Sequence, residues 1–156
     1  MKIISGKSFQ PQGQLALIVS RFNHSITEKL LSGALERIEE LQFDSERCTI
    51  IWVPGAVEIG IVAQRLARSA KYQAIICLGA AICGETDHYR YVCQHVTENC
   101  RTLALQYDIP IIFSVLTTQT VAQAEDRVGG RKGHKGREAI DAAWDIMSVL
   151  EQLSID

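Results

Sequence analysis

Four short runs of Val, Ile and Leu, at residues 15–20, 49–53, 74–79 and 111–116, stand out from a chain of otherwise mixed polarity. Such runs are expected of parallel strands covered on both faces, because covering both faces removes the polar alternation. Between them the apolar positions fall at helical spacing. Ile26, Leu30, Ala34, Leu35, Ile38 and Leu41 share one face of a first helix. Tyr89, Val92, Cys93, Val96, Cys100, Leu103 and Ala104 share a face of another, stopped by Asp108-Ile109-Pro110. A last helix carries Ile140, Ala143, Trp144, Met147 and Leu150. Strands alternating with helices predict right-handed βαβ units and a doubly wound open sheet, an α/β fold of four parallel strands with helices on both faces.

That topology predicts where chemistry should sit. In open α/β sheets, ligands bind beyond the carboxyl ends of the strands, where loops and helix N-termini converge. Each run leads into an unusual segment: Arg21-Phe22-Asn23-His24, Pro54-Gly55-Ala56-Val57-Glu58, residues 80–88, and Thr117-Thr118-Gln119-Thr120.

Gly84-Glu85-Thr86-Asp87-His88 is the most informative of these. A glycine and a threonine opening a long helix suit an anion, since free backbone N–H groups point outward at the positive end of the helix dipole. Thr86 is the expected N-cap, and His88, in the first turn, would lie beside the anion and move protons near neutral pH. An ordinary capped helix with an exposed histidine is the equal alternative. Phe22 would lie at the rim, where an aromatic stacks on a planar heterocycle; taken alone, a hydrophobic staple onto the next helix is the better reading. Glu58 either accepts hydrogen bonds from a ligand or complements a helix dipole. The segment 125–136 mixes glycine with four basic residues, Arg127, Arg131, Lys132 and Lys135. Arg and Lys suit phosphate, but a solvated hinge between two helices is favoured for this stretch by itself.

Composition narrows the classes. The 156 residues suit one domain, 1–156, and 47% hydrophobic with 22% charged residues fits a soluble globular chain. A net charge of −2 argues against a general nucleic-acid binder. No apolar stretch is long enough for a membrane span, and the N-terminus lacks the apolar core of a signal peptide. Five cysteines without a Cys-x-x-Cys pair fit neither a disulfide framework nor a zinc site, and Cys77, Cys93 and Cys100 are expected to be buried as small apolar residues. His24, His95 and His134 have no metal-ligand spacing. Neither a P-loop nor a dinucleotide fingerprint is present, and no Ser or Cys occupies a nucleophile elbow. The inventory points to acid–base chemistry on a phosphorylated substrate without a metal or redox cofactor, in the cytoplasm.

Taken in order, five segments resemble the lumazine synthase family from Ile3 to Leu150. They are Ser20-Arg21-Phe22-Asn23, Val53-Pro54-Gly55-Ala56-Val57-Glu58-Ile59, Gly84-Glu85-Thr86-Asp87-His88-Tyr89, Val115-Leu116-Thr117-Thr118, and Arg127-Val128-Gly129 through Lys135-Gly136. The resemblance implies a flavodoxin-like three-layer sandwich. It also implies condensation of 5-amino-6-ribitylaminouracil with 3,4-dihydroxy-2-butanone 4-phosphate to 6,7-dimethyl-8-ribityllumazine, releasing phosphate. By the same resemblance Phe22 would stack on the pyrimidine, and Ala56, Val57 and Glu58 would hold the ribityl chain. Ala80, Ala81 and Ile82 would line the pocket by their backbone. Gly84, Glu85 and Thr86 would cradle the phosphate with Arg127, and His88 would be the catalytic proton shuttle. Phe113, Arg127, Lys135 and Glu138 match positions near the family's site, several of them from an adjacent subunit.

Family members assemble as pentamers, decamers or sixty-subunit shells. The implied partners are therefore further copies of the chain, extending to a shell and to riboflavin synthase, and the implied ligands are small molecules. Ile3-Ile4 would add a strand to a neighbour's sheet. The glycines of 129–136 resemble those of shell-forming members, in which a tight turn joins the last two helices. The chain departs from the family's pattern at Cys83, commonly Arg or Lys, and at Asp87, Val57, Gly60 and His134. The first two remove positive and add negative charge beside the phosphate site, implying weaker butanone phosphate binding. Three rival readings are an archaeal-type riboflavin synthase, a non-catalytic lumazine- or flavin-binding paralogue, and a flavodoxin-like electron carrier. Retention of His88 and Arg127 argues against the second, and the missing phosphate loop after the first strand against the third.

Overall fold

A computed structural model describes residues 1–154 of the protein. Its elements are β1 (Gln14–Ser20), α1 (His24–Glu40), β2 (Cys48–Val53), α2 (Ile59–Arg68), β3 (Tyr72–Ile82), α3 (His88–Tyr107), β4 (Ile111–Thr118), α4 (Val121–Glu125), β5 (Val128–Gly130), β6 (Gly133–His134) and α5 (Lys135–Leu153). The four main strands pair in parallel in the order β2-β1-β3-β4. No helix among the described residues is long and apolar enough to cross a membrane.

The strand period of two divides the core into two layers. Leu15, Leu17 and Val19 of β1, with Ile76 and Leu78 of β3, face α1 and α5, where they meet Ile26, Leu30, Ile140 and Met147. Ala16, Ile18, Ile75 and Cys77 face the other way, against Ile59 and Ala63 of α2 and Val96, Cys100 and Leu103 of α3. This is the three-layer α/β sandwich expected, with the two central strands covered on both sides. The edge strand β2 is only partly covered: Ile50 is exposed, so its apolar run overstates its burial.

Two strands outlast their apolar runs. β3 continues to Ile82 because β4 goes on pairing with it, through Ala80–Leu116, Ala81–Thr117 and Ile82–Thr118. Residues expected in the following loop are thus held rigidly in the sheet. The glycine-bearing stretch after α4 is likewise a short antiparallel hairpin, β5 with β6, and not a solvated hinge. Gly129 and Gly133 take φ of 104° and 79° there, a region open to glycine and strained for other residues. The helix after β2, α2, carries its stripe at Ile59, Val62, Ala63, Leu66 and Ala67, and it buries that face, with Gly60, against the α3 side of the sheet.

Chain order explains the position of the cleft. From β1 the chain moves outward to β2, then returns to place β3 on the opposite side of β1. The loops after β1 and β3 therefore diverge to opposite faces, opening a crevice at the carboxyl ends.

Candidate active site

A cavity of about 650 Å³ occupies that crevice, lined by Phe22, residues 54–58, Ala80, Ala81, Ile82, Gly84, Thr86, His88, Tyr89 and Val92. Three of the four post-strand segments contribute to it. Its lining is largely apolar with a few polar groups, the usual character of a small-molecule site.

The β1–α1 turn supplies Phe22. Its ring is 71% exposed, so it does not staple onto α1 and stands free at the rim. The turn is fixed by its backbone: the N–H of Arg21 donates to the Val53 carbonyl at 2.8 Å, and that of Phe22 to the Pro54 carbonyl at 3.0 Å. Asn23 then takes a left-handed conformation, φ 58° and ψ 48°, and its Nδ2 donates to the Ala80 carbonyl at 2.8 Å.

After β2, residues Ala56–Glu58 form one turn of 3₁₀ helix leading into α2. Glu58 is half-buried in the cavity wall, and its Oε2 accepts the Gly55 N–H at 2.9 Å. The carboxylate thus braces its own loop while lining the cavity. Ala80, Ala81 and Ile82, the last residues of β3, form the opposite wall, and the small side chains at 80 and 81 leave strand backbone close to the opening.

The turn into α3 differs from expectation in its cap. Asp87, not Thr86, occupies the N-cap position, with helical φ −68°, and no side chain caps the helix. The first amide taken up is that of Arg90, donating to the Asp87 carbonyl at 2.9 Å. The backbone N–H groups before it are left for an external acceptor, at the positive end of a 20-residue helix. Thr86, relieved of capping, lines the cavity, as does His88 in the first turn. Gly84 has no partner of its own: a Cβ there would meet nothing within 4 Å. Its bareness faces open space, so a ligand can approach the backbone closely. Glu85 is exposed beside this turn but is absent from the cavity lining.

Phe113, Arg127, Lys135 and Glu138 lie elsewhere. Phe113 projects from edge strand β4, 39% exposed, into a separate groove shared with Tyr89, Cys93, Arg101 and Thr117. Arg127 follows α4 and donates to the Gln123 carbonyl at 2.8 Å. Lys135 opens α5, pairs with Glu138, and donates its N–H to the Arg127 carbonyl at 2.8 Å. None of the four lines the main cavity, and no lysine or arginine among the described residues does.

Several site-forming residues escaped sequence reasoning. Tyr89 and Val92 read there as the buried stripe of α3, yet both line the cavity; the signal was their place within one turn of His88. Burial raises the Tyr89 phenol above its ordinary range. Among the thiols, Cys77 and Cys100 are buried as expected, and Cys93 is half-buried, its thiol also raised by burial.

The family model described as 6,7-dimethyl-8-ribityllumazine synthase matches residues 12–151 of this chain. A protein of that name from Coxiella burnetii strain Dugway 5J108-111 is 52% identical over 142 residues, covering 91% of this chain and 94% of the relative. Those from strains CbuG_Q212 and RSA 493 / Nine Mile phase I are each 51% identical over the same length.

Proposed function

The chain belongs to the 6,7-dimethyl-8-ribityllumazine synthase family, and from that premise we propose how its residues divide the labour of the reaction. The enzyme condenses 5-amino-6-ribitylaminouracil with 3,4-dihydroxy-2-butanone 4-phosphate, a step of riboflavin biosynthesis. The amine attacks the ketone, water leaves to form an imine, phosphate is eliminated, and the ribityl-bearing nitrogen closes the ring with loss of a second water. Each step needs a proton moved and two reactants held together.

Phe22 stacks on the pyrimidine, and Ala56, Val57 and Glu58 hold the ribityl chain. Ala80, Ala81 and Ile82 present their backbone to the ring. Gly84, Glu85 and Thr86, with the open amides of α3, receive the phosphate, and His88 beside them passes protons to and from the reacting nitrogen and oxygen atoms. The observation that carries this reading is the uncapped N-terminus of α3, placed with Gly84 and His88 in the cleft under an unpacked aromatic ring.

A dianion leaving from that turn lacks a cation within its own chain. Arg127 and Lys135, with Phe113 and Glu138, lie on the β4 side, and β4 is a sheet edge. We take these four as the contribution of one chain to its neighbour's cavity, where Arg127 clamps the departing phosphate. The reading requires a closed ring of subunits, a pentamer in this family. The tight β5–β6 turn between α4 and α5 supports the shell-forming type, in which riboflavin synthase is the enclosed partner. Exposed Ile3 supports strand addition by the N-terminal segment. One domain over residues 1–156 and a cytoplasmic location belong to the same reading.

Mixing tests the shared site. His88→Ala and Arg127→Ala proteins, each slowed on the order of a hundredfold, are refolded together. Sites that draw an intact His88 from one chain and an intact Arg127 from the next then recover activity, up to about a quarter for random mixing. Failure of the mixture to exceed its parents, with hybrid oligomers demonstrated, would show that both residues serve one chain's site.

A further inference from the structure

Phe22 poses a positioning problem that the cavity lining does not solve. A ring that stacks on a substrate must be held at a set distance from the opposite wall, yet Phe22 is 71% exposed and not packed into the core. Its place is therefore set by the turn that carries it. On the β2 side that turn is tied by two backbone hydrogen bonds, from Arg21 and Phe22 to Val53 and Pro54. On the β3 side, which forms the facing wall, β1–β3 pairing ends at Val19–Leu78. Beyond it, one side chain makes the connection: Asn23 Nδ2 donates to the Ala80 carbonyl at 2.8 Å.

We infer that Asn23 is a positioning residue for the pyrimidine subsite, setting the gap between the Phe22 ring and the wall at Ala80, Ala81 and Ile82. The inference rests on the reading of Phe22 as the stacking residue. Two properties of asparagine meet at this position. Its backbone tolerates φ 58°, which most side chains avoid, and its amide supplies a donor to a carbonyl that the strand ladder leaves unpaired on that side. The carbonyl of Asn23 also accepts the first amides of α1, from Ile26 at 2.9 Å and Thr27 at 3.1 Å. One residue thus ties the helix, the ring-bearing turn and the far wall together. Asp tolerates the same backbone but has no N–H to donate. Gly adopts it freely and has no side chain.

Asn23→Asp and Asn23→Gly therefore remove the strut while keeping the turn's conformation. Steady-state kinetics of the full-length enzyme, with each substrate varied in turn, are expected to show KM for the ribitylaminouracil raised about tenfold, the scale of a lost aromatic stack. KM for the butanone phosphate should stay within about twofold, because the α3 turn is untouched. The same substitutions in a Phe22→Ala background should add nothing further, since the strut acts through the ring. An equal rise in both KM values, or the same further rise without Phe22 as with it, would overturn the inference while leaving the function in place. Absence of lumazine formation by the unsubstituted enzyme would overturn the functional reading and, with it, this one.

Discussion

Gly136→Ala separates packing from helix propensity. Gly136 lies in the first turn of α5, where propensity alone favours alanine by up to about 1 kcal/mol. The structure gives the opposite sign. A Cβ at residue 136 would stand 2.0 Å from the Leu30 carbonyl oxygen and 2.9 Å from the Leu30 carbonyl carbon, backbone atoms of α1 that cannot swing aside. Relief requires the two helices to part over their shared core of Leu30, Ala34, Ile140 and Ala143, which is fully buried. Overpacking of this kind costs about 1–3 kcal/mol, leaving a net loss of about 1 kcal/mol after the propensity gain. For a chain of this size that lowers Tm by about 2–4 °C. Gly84→Ala is the matched control: its Cβ meets nothing, so stability should hold within about 0.5 kcal/mol. Thermal unfolding of both variants at one protein concentration makes the comparison, since assembly makes Tm concentration-dependent. A Gly136→Ala protein as stable as the unsubstituted one would refute the close helix approach.

Other expectations concern charge and the site. Burial, chiefly, holds the His134 imidazole below its ordinary pKa, and its Nδ1 accepts the Gly136 N–H at 3.2 Å, as a neutral ring does. Its folded pKa being the lower, the stability it contributes is complete above the unfolded value near 6.5 and lost as pH falls through it. Urea unfolding between pH 8 and 5 should therefore show a steeper loss for the native chain than for His134→Asn. Phe22→Ala should leave Tm unchanged, because the ring is exposed, while raising KM for the ribitylaminouracil roughly tenfold. Cys83→Arg should lower KM for the butanone phosphate about fivefold by returning a cation beside the α3 turn; an unchanged KM would count against a weakened phosphate subsite.

The sheet and three of its helices were legible because strand runs and helical stripes are local signals, read within one element. Ile26, Leu30 and Ile38 betray α1 by spacing alone. α2 carries the same spacing at Ile59, Val62, Ala63, Leu66 and Ala67 over only ten residues, while the close approach of Asn99 to Gly60 leaves no local mark. The β5–β6 hairpin was hidden for a related reason. Taken by themselves Gly129, Gly130 and Gly133 favour a solvated hinge, with a tight turn implied only by the family resemblance, and the contact of Gly136 with Leu30 depends on a helix over a hundred residues earlier. Site residues split in the same way. Phe22, Glu58, Thr86 and His88 could be placed together, since the fold rule sends all post-strand loops to one end. The Asn23–Ala80 bond could not, because a left-handed backbone and a partner 57 residues away leave no local mark. The separation of Phe113, Arg127, Lys135 and Glu138 from the cavity left no local mark either, and only the family resemblance, which gives several of them to an adjacent subunit, implied it.

The measurement closest to the central claim follows lumazine fluorescence and inorganic phosphate together after the purified protein is mixed with both substrates. The account expects the two to appear one for one, and both to fall on the order of a hundredfold with His88→Ala or Arg127→Ala. A folded, assembled protein that binds the ribitylaminouracil yet releases no phosphate would contradict it.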